Sequence, residues 1–197
     1  MNEVIDHYDK LIEENNDPFY DPKPLREYMD KWDGIDFIKE MQLAADKKVL
    51  EIGIGTGRIA NRVAPLCKAL VGIDMSPKTI EKATENLIRY NNIILYCADF
   101  MKYDFDCLFD VIYSSLTFMH IKEKQMAISK VAKLMKSNAR LVLSIDKNQS
   151  EYIQMDNRKI KIYPDNRDEI CSYIERADLQ LKKQYETEFA YIFVAIK

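Results

Sequence analysis

From Lys47 onward, short apolar runs alternate with segments whose apolar positions recur every three or four residues. Residues 49–52 form the first run, which breaks into a glycine cluster and is followed by a helix-like segment at 58–67. A second run, 69–74, ends on an acid. Ser76 is then placed to cap a helix with Pro77 at its first position and Ile80, Ala83, Leu87 and Ile88 along its inner face. Runs at 93–98 and 110–115 predict the third and fourth strands. Met126, Ile128, Val131, Leu134 and Met135 mark a helix before a fifth strand at 141–145. These are runs of β-branched and apolar residues rather than alternations, as expected of parallel strands covered on both faces. Strand and helix in alternation predict an α/β fold, a doubly wound and mostly parallel sheet.

The two ends break this rhythm. Residues 1–46 read as two or three helices punctuated by Asp17-Pro18, Asp21-Pro22 and Lys23-Pro24, a helical N-terminal lid. Residues 150–163 read as two short strands around Asp156-Asn157, a hairpin insertion. After a helix near 167–177, strands at 181–187 and 191–196 lie too close in sequence for a parallel crossover. They complete a seven-stranded sheet whose last strand is antiparallel.

Composition narrows the picture only modestly. At 197 residues, 47% apolar and 31% charged, the chain fits one globular domain with a small appendage. Nothing approaches the roughly 20 apolar residues of a membrane helix. The start, MNEVIDHYDK, lacks the basic and apolar segments of a signal peptide, so a cytoplasmic location is expected. Cys67, Cys97, Cys107 and Cys171 form no CxxC pair, and His7 and His120 are the only histidines, so neither a zinc site nor a disulfide framework is expected. Charge is uneven: residues 1–46 hold 13 Asp/Glu against 5 Lys/Arg, the rest 24 Lys/Arg against 19 Asp/Glu. No basic stripe with interleaved aromatics appears, so nucleic acid and membrane partners are not expected. The acidic lid favours a cationic acceptor or is simply a solvated face.

Chemistry concentrates in Glu51-Ile52-Gly53-Ile54-Gly55-Thr56-Gly57-Arg58, where a strand enters a glycine loop that opens a helix. Backbone N–H groups and a helix N-terminus then face whatever sits above. The dinucleotide fingerprint G-x-G-x-x-G wants glycine or alanine where this chain has Arg58, which counts against a nicotinamide-dependent oxidoreductase. Glu51 would repel a diphosphate and attract a cation. Asp74, at the tip of the second strand, can accept both hydroxyls of a ribose.

On these residues the chain resembles the class I S-adenosylmethionine-dependent methyltransferases. Residues 51–57 match that family's first motif and Gly72-Ile73-Asp74-Met75-Ser76 its second. Tyr96-Cys97-Ala98-Asp99-Phe100 matches the third, and Phe109-Asp110-Val111-Ile112-Tyr113-Ser114-Ser115 the fourth strand. The likeness covers residues 47–146 and makes 47–197 a Rossmann-like, S-adenosylmethionine-binding domain. It implies that Glu51, Gly53, Gly55, Thr56 and Gly57 hold the methionine part, that Asp74 takes the ribose, and that Met75, Asp99 and Phe100 form the adenine pocket. Residues from Ser114 to Leu116 would line the transfer site.

His120 falls where the family often carries a histidine. It serves either as a general base or as a local hydrogen-bonding partner at the start of a helix. Tyr8, Tyr20, Tyr28 and Trp32 could stack on cofactor or acceptor, or belong to the core of amphipathic helices. The expected activity is in-line methyl transfer to a small-molecule acceptor by a monomer or weak homodimer. A non-enzymatic S-adenosylmethionine-binding module is the competing reading.

Overall fold

The computed structural model describes residues 3–155 and 158–197. Helices α1 (Glu3–Glu13), α2 (Lys23–Asp33) and the single turn α3 (Phe37–Glu40) precede β1 (Lys48–Ile52). The remaining elements are α4 (Ala60–Val63), β2 (Ala69–Asp74), α5 (Pro77–Asn86), β3 (Ile93–Cys97), β4 (Phe109–Ser114), α6 (Lys124–Leu134) and β5 (Met135–Asp146). After them come β6 (Tyr152–Met155), β7 (Arg158–Lys161), α7 (Arg167–Arg176), β8 (Gln180–Glu186) and β9 (Ala190–Ile196).

The main sheet has seven strands in the order β3-β2-β1-β4-β5-β9-β8. The first five run parallel, and β9 is antiparallel to both its neighbours. Three residues separate β8 from β9, enough for a hairpin and far too few for a crossover. The apolar runs split by the two-residue period of a strand. Leu50, Ile112, Leu141 and Phe193 enter one core layer with Ile128, Val131 and Ile174. Val49, Val111, Val142 and Ile192 enter the other with Phe37, Ile59 and Val63. No helix among the described residues is long and apolar enough to cross a membrane.

Three local details differ from the pattern. The helix-like stretch 58–67 is only one α-turn, α4, running into a 3-10 turn at Ala64–Leu66, because Pro65 cannot continue the α hydrogen-bond ladder. Ile88, expected on the inner face of α5, is 83% exposed because the helix ends at Asn86. Met126, on α6, is also exposed. Strands β6 and β7 pair antiparallel, while the Asp156-Asn157 turn lies outside the described residues.

The acids of the N-terminal segment mostly face the body of the protein. Asp9 accepts from Ser76 Oγ (2.6 Å) and from Lys78 N, and Glu13 pairs with Lys78. Glu14 pairs with Arg158 of β7 at 2.5 Å, and Glu40 with Arg140 and Lys183. Asp17 accepts from Asn86. Thus α1 is tied to α5 on one side and to the β6–β7 hairpin on the other.

Candidate active site

The parallel strands β1, β2, β3 and β4 all end beneath a cavity of about 980 Å³, within the range of small-molecule sites. Its floor is the turn after β1, where the chain must reverse sharply into α4. Gly53, Gly55 and Gly57 all take positive φ there (75°, 56° and 94°). Their reasons differ. A Cβ on Gly53 would collide with the Thr117 side chain, and one on Gly57 with Leu87, so these two serve close packing. A Cβ on Gly55 would meet no protein atom within 4 Å. Its open side faces the cavity, a cradle that any larger residue would fill.

Two carboxyls flank this cradle. Glu51, in β1, is 3% exposed and its Oε2 accepts from Tyr113 Oη at 2.6 Å. Burial pushes its pKa up to about 8, against the pull of that hydrogen bond and of the Arg58 charge. Asp74, ending β2, accepts from Gly55 N and Ser76 N, each at 3.1 Å, so it braces the glycine turn as well as facing the cavity. Burial raises its pKa too, opposed by those backbone donors. Thr56 Oγ1 is buried on the wall with no partner among the described residues. An orphaned hydroxyl beside two desolvated acids leaves donors and acceptors open to a polar, cationic ligand.

The N-terminal helices and the segment around β7 also contribute to the lining. Tyr8 of α1 reaches across so that its Oη lies 2.8 Å from His120 Nε2. Burial holds the phenol well above its ordinary pKa and pulls His120 down to about 4, so both are neutral at pH 7. Val4, Met29, Lys161 and Tyr163 line the cavity as well.

A family model described as a methyltransferase domain matches residues 50–143, the stretch that builds the glycine turn, both acids and the floor beneath them. The chain's fold is that of the class I methyltransferases. An uncharacterized methyltransferase of Schizosaccharomyces pombe is 31% identical over 106 residues, 49% of this chain and 37% of that protein. The chain spans about half or less of the length of several curated relatives that it matches. Among solved structures, magnesium protoporphyrin IX methyltransferase of Synechocystis with bound S-adenosylmethionine superposes with a TM-score of 0.77 at 16% identity, covering 100% of this chain and 98% of that one. The N-methyltransferase NodS of Bradyrhizobium japonicum, with S-adenosylhomocysteine, gives 0.71 at 17%, covering 100% and 99%. At such identities these likenesses show the fold.

Within this methyltransferase fold, the expected site residues separate into two groups. Glu51, Gly53, Gly55, Thr56, Asp74, Met75, Asp99, Phe100, Leu116, His120 and Tyr8 all line the one cavity. Asp99 also caps its own turn through Met101 N at 2.9 Å. Leu116 holds φ 56°, a conformation disfavoured for a non-glycine residue, which turns the segment after β4 under the cavity. Gly57, Ser114, Tyr20 and Trp32 lie off the lining. Ser114 is fully buried and turns its hydroxyl back to Ile52 O (2.8 Å), leaving Ser115 to face the cavity. Tyr20 is 69% exposed. Trp32 packs edge-on against Tyr28 and tilted against Phe189, outside the cavity lining.

Arg58 is the residue whose place the sequence pattern did not reveal. Read as the interruption of a dinucleotide motif, it lines the cavity and pairs with Asp33. Asp33, 2% exposed, also accepts from Ser115 Oγ. The signal was present only as an arginine directly after the glycine turn, and its acidic partner sits in another helix.

Proposed function

We propose that this chain transfers a methyl group from S-adenosylmethionine to a small-molecule acceptor, in the cytoplasm and without nucleic acid or membrane partners, as a monomer or weak homodimer. The open side of Gly55 between the buried Glu51 and half-buried Asp74 carboxyls carries this reading. When bound, the cofactor supplies a methyl group on a sulfonium, ready for in-line displacement. Asp74 is placed to hold a ribose, with Met75, Asp99 and Phe100 around an adenine. Glu51 and Thr56 Oγ1 face an ammonium and its neighbours, and Arg58 offers a guanidinium to an α-carboxylate. Residues 1–46 and the 150–163 hairpin act as the cover of the 47–197 domain. They exclude water and hold an acceptor on the axis of attack, the main contribution a methyltransferase must make.

The acceptor end is walled by Tyr8, His120, Lys161 and Tyr163. Among the described residues, His120 Nδ1 is buried without a partner and no carboxylate hydrogen-bonds to the ring. An imidazole titrating near pH 4 is a weak base, so an acceptor nitrogen or thiolate suits this site better than an unactivated hydroxyl. In a coupled assay for S-adenosylhomocysteine, matched amine, thiol and alcohol acceptors should rank with the alcohol last. Turnover of alcohols alone would overturn the assignment of acceptor atom. Binding of S-adenosylhomocysteine with no turnover of any acceptor would favour the binding-module reading.

Glu51 gives a pH signature. Its folded pKa, about 8, lies above that of a free glutamate, so below pH 8 the folded protein holds an extra proton on this carboxyl. Stability should therefore fall as pH rises from about 4.5 to 8, the interval between the unfolded and folded values. An ammonium group placed beside the carboxyl lowers its pKa and expels that proton. Calorimetry of S-adenosylhomocysteine in buffers of different ionisation enthalpy should show proton release at pH 6–7 that fades above pH 8 and disappears in Glu51→Gln. Equal release by the variant would remove Glu51 from the ligand's surroundings.

A further inference from the structure

Lys124 occupies an unfavourable position. It is the first residue of α6, where the helix dipole disfavours a cation, and it is 8% exposed. Its Nζ donates to Phe118 O and to Tyr163 O, each at 2.8 Å, and pairs with Asp165, itself 2% exposed, at 2.8 Å. Tyr163 N donates to Met119 O at 2.8 Å, and Asp165 O accepts from Gln149 Nε2 at 2.9 Å. One ammonium group therefore joins three pieces of chain. These are the 3-10 turn Phe118–His120, the strap that follows β7, and the start of α6.

A buried ion pair is weak evidence for stability, because desolvating both charges offsets their attraction, and an apolar pair of similar size is often as stable. What apolar side chains cannot do is hold two carbonyl oxygens of different segments at one point. Those segments carry His120 and Tyr163, which both line the cavity.

We infer that the Lys124–Asp165 pair is a positioning device: it fixes the strap after the hairpin against the His120 turn and so sets the shape of the acceptor wall, a role that rests on the methyltransferase reading. Lys124 touches neither cofactor nor acceptor space directly through its charge, and acts through the two segments it binds.

The test is a double variant, Lys124→Met/Asp165→Leu, which removes both charges together, alongside Lys124→Arg. The double variant should keep its melting temperature within about 5 °C of the wild type and its S-adenosylhomocysteine affinity within about twofold, because the pair lies off the glycine turn. Exchange of the Tyr163 amide should accelerate by about tenfold or more, and the His120 ring resonances should shift. Lys124→Arg, which keeps the charge and donors, should restore most of the Tyr163 protection. A double variant that fails to fold, or melts far lower, would assign the pair to stability and overturn the inference. So would unchanged Tyr163 exchange and His120 signals. Failure of the wild-type protein to bind S-adenosylhomocysteine would instead overturn the cofactor reading, leaving the exchange comparison to judge the latch by itself.

Discussion

Gly55→Val is expected to abolish S-adenosylhomocysteine binding while leaving the seven-stranded sheet folded. Gly55 sits at φ 56°, and a β-branched residue pays a strain there of about 1–2 kcal/mol. A Cβ at this position nevertheless meets no protein atom within 4 Å, so the fold itself has room for it. The loss of stability should be a few degrees in melting temperature. Binding should suffer far more, because the added methyl groups occupy the space over the turn where a ligand must approach the backbone. Gly53 and Gly57 provide the contrast. Their Cβ atoms would strike Thr117 and Leu87, so valine there should damage folding and binding together. Circular dichroism and calorimetry on the three variants separate the two effects. A Gly55→Val protein with wild-type affinity would show that the turn does not approach a ligand closely.

Asp74→Ala should weaken S-adenosylhomocysteine binding by about 1–3 kcal/mol, roughly 5- to 150-fold, through lost charge-assisted hydrogen bonds to the ribose. The same carboxylate accepts from Gly55 N and Ser76 N, so part of the loss should come from a looser glycine turn. Asp74→Asn keeps one acceptor oxygen and should fall between alanine and wild type. Equal affinity in all three proteins would remove Asp74 from the site. Tyr8→Phe supplies a milder comparison: it breaks the hydrogen bond to His120 without emptying the wall, and should leave cofactor affinity within about threefold.

The sheet and the cofactor floor were legible because they are written locally. A buried parallel strand needs an unbroken apolar run, a sharp exit from β1 needs glycines, and the acids at strand tips follow by spacing. Residues 51–57 and 72–76 therefore announce their place without help from the rest of the chain. Ser114 was misleading for the same reason that the strand was clear. The two-residue period puts either Ser114 or Ser115 toward the cavity, and only the exact end of β4 decides which.

The part of the cavity lined by Tyr8, His120 and Tyr163 was not legible, because it is assembled from segments far apart in sequence. Tyr8 meets His120 across 112 positions, and Lys124 meets Tyr163 across 39. Trp32 and Tyr20 could be read either as ligand-stacking residues or as core, because nothing local says which face of α2 turns toward the sheet. The acidic excess of residues 1–46 was visible, but its partners were not. Arg58, Lys78, Arg140 and Arg158 lie throughout the body, and they use those acids to seat the cover.

The most direct measurement is titration calorimetry of the folded wild-type protein with S-adenosylhomocysteine and, in parallel, with NAD. The geometry around Gly55, Glu51 and Asp74 predicts saturable one-to-one binding of the first, with proton release below pH 8, and no heat from the second. No heat from S-adenosylhomocysteine across that pH range, on protein shown to be folded, would contradict the assignment of this cavity.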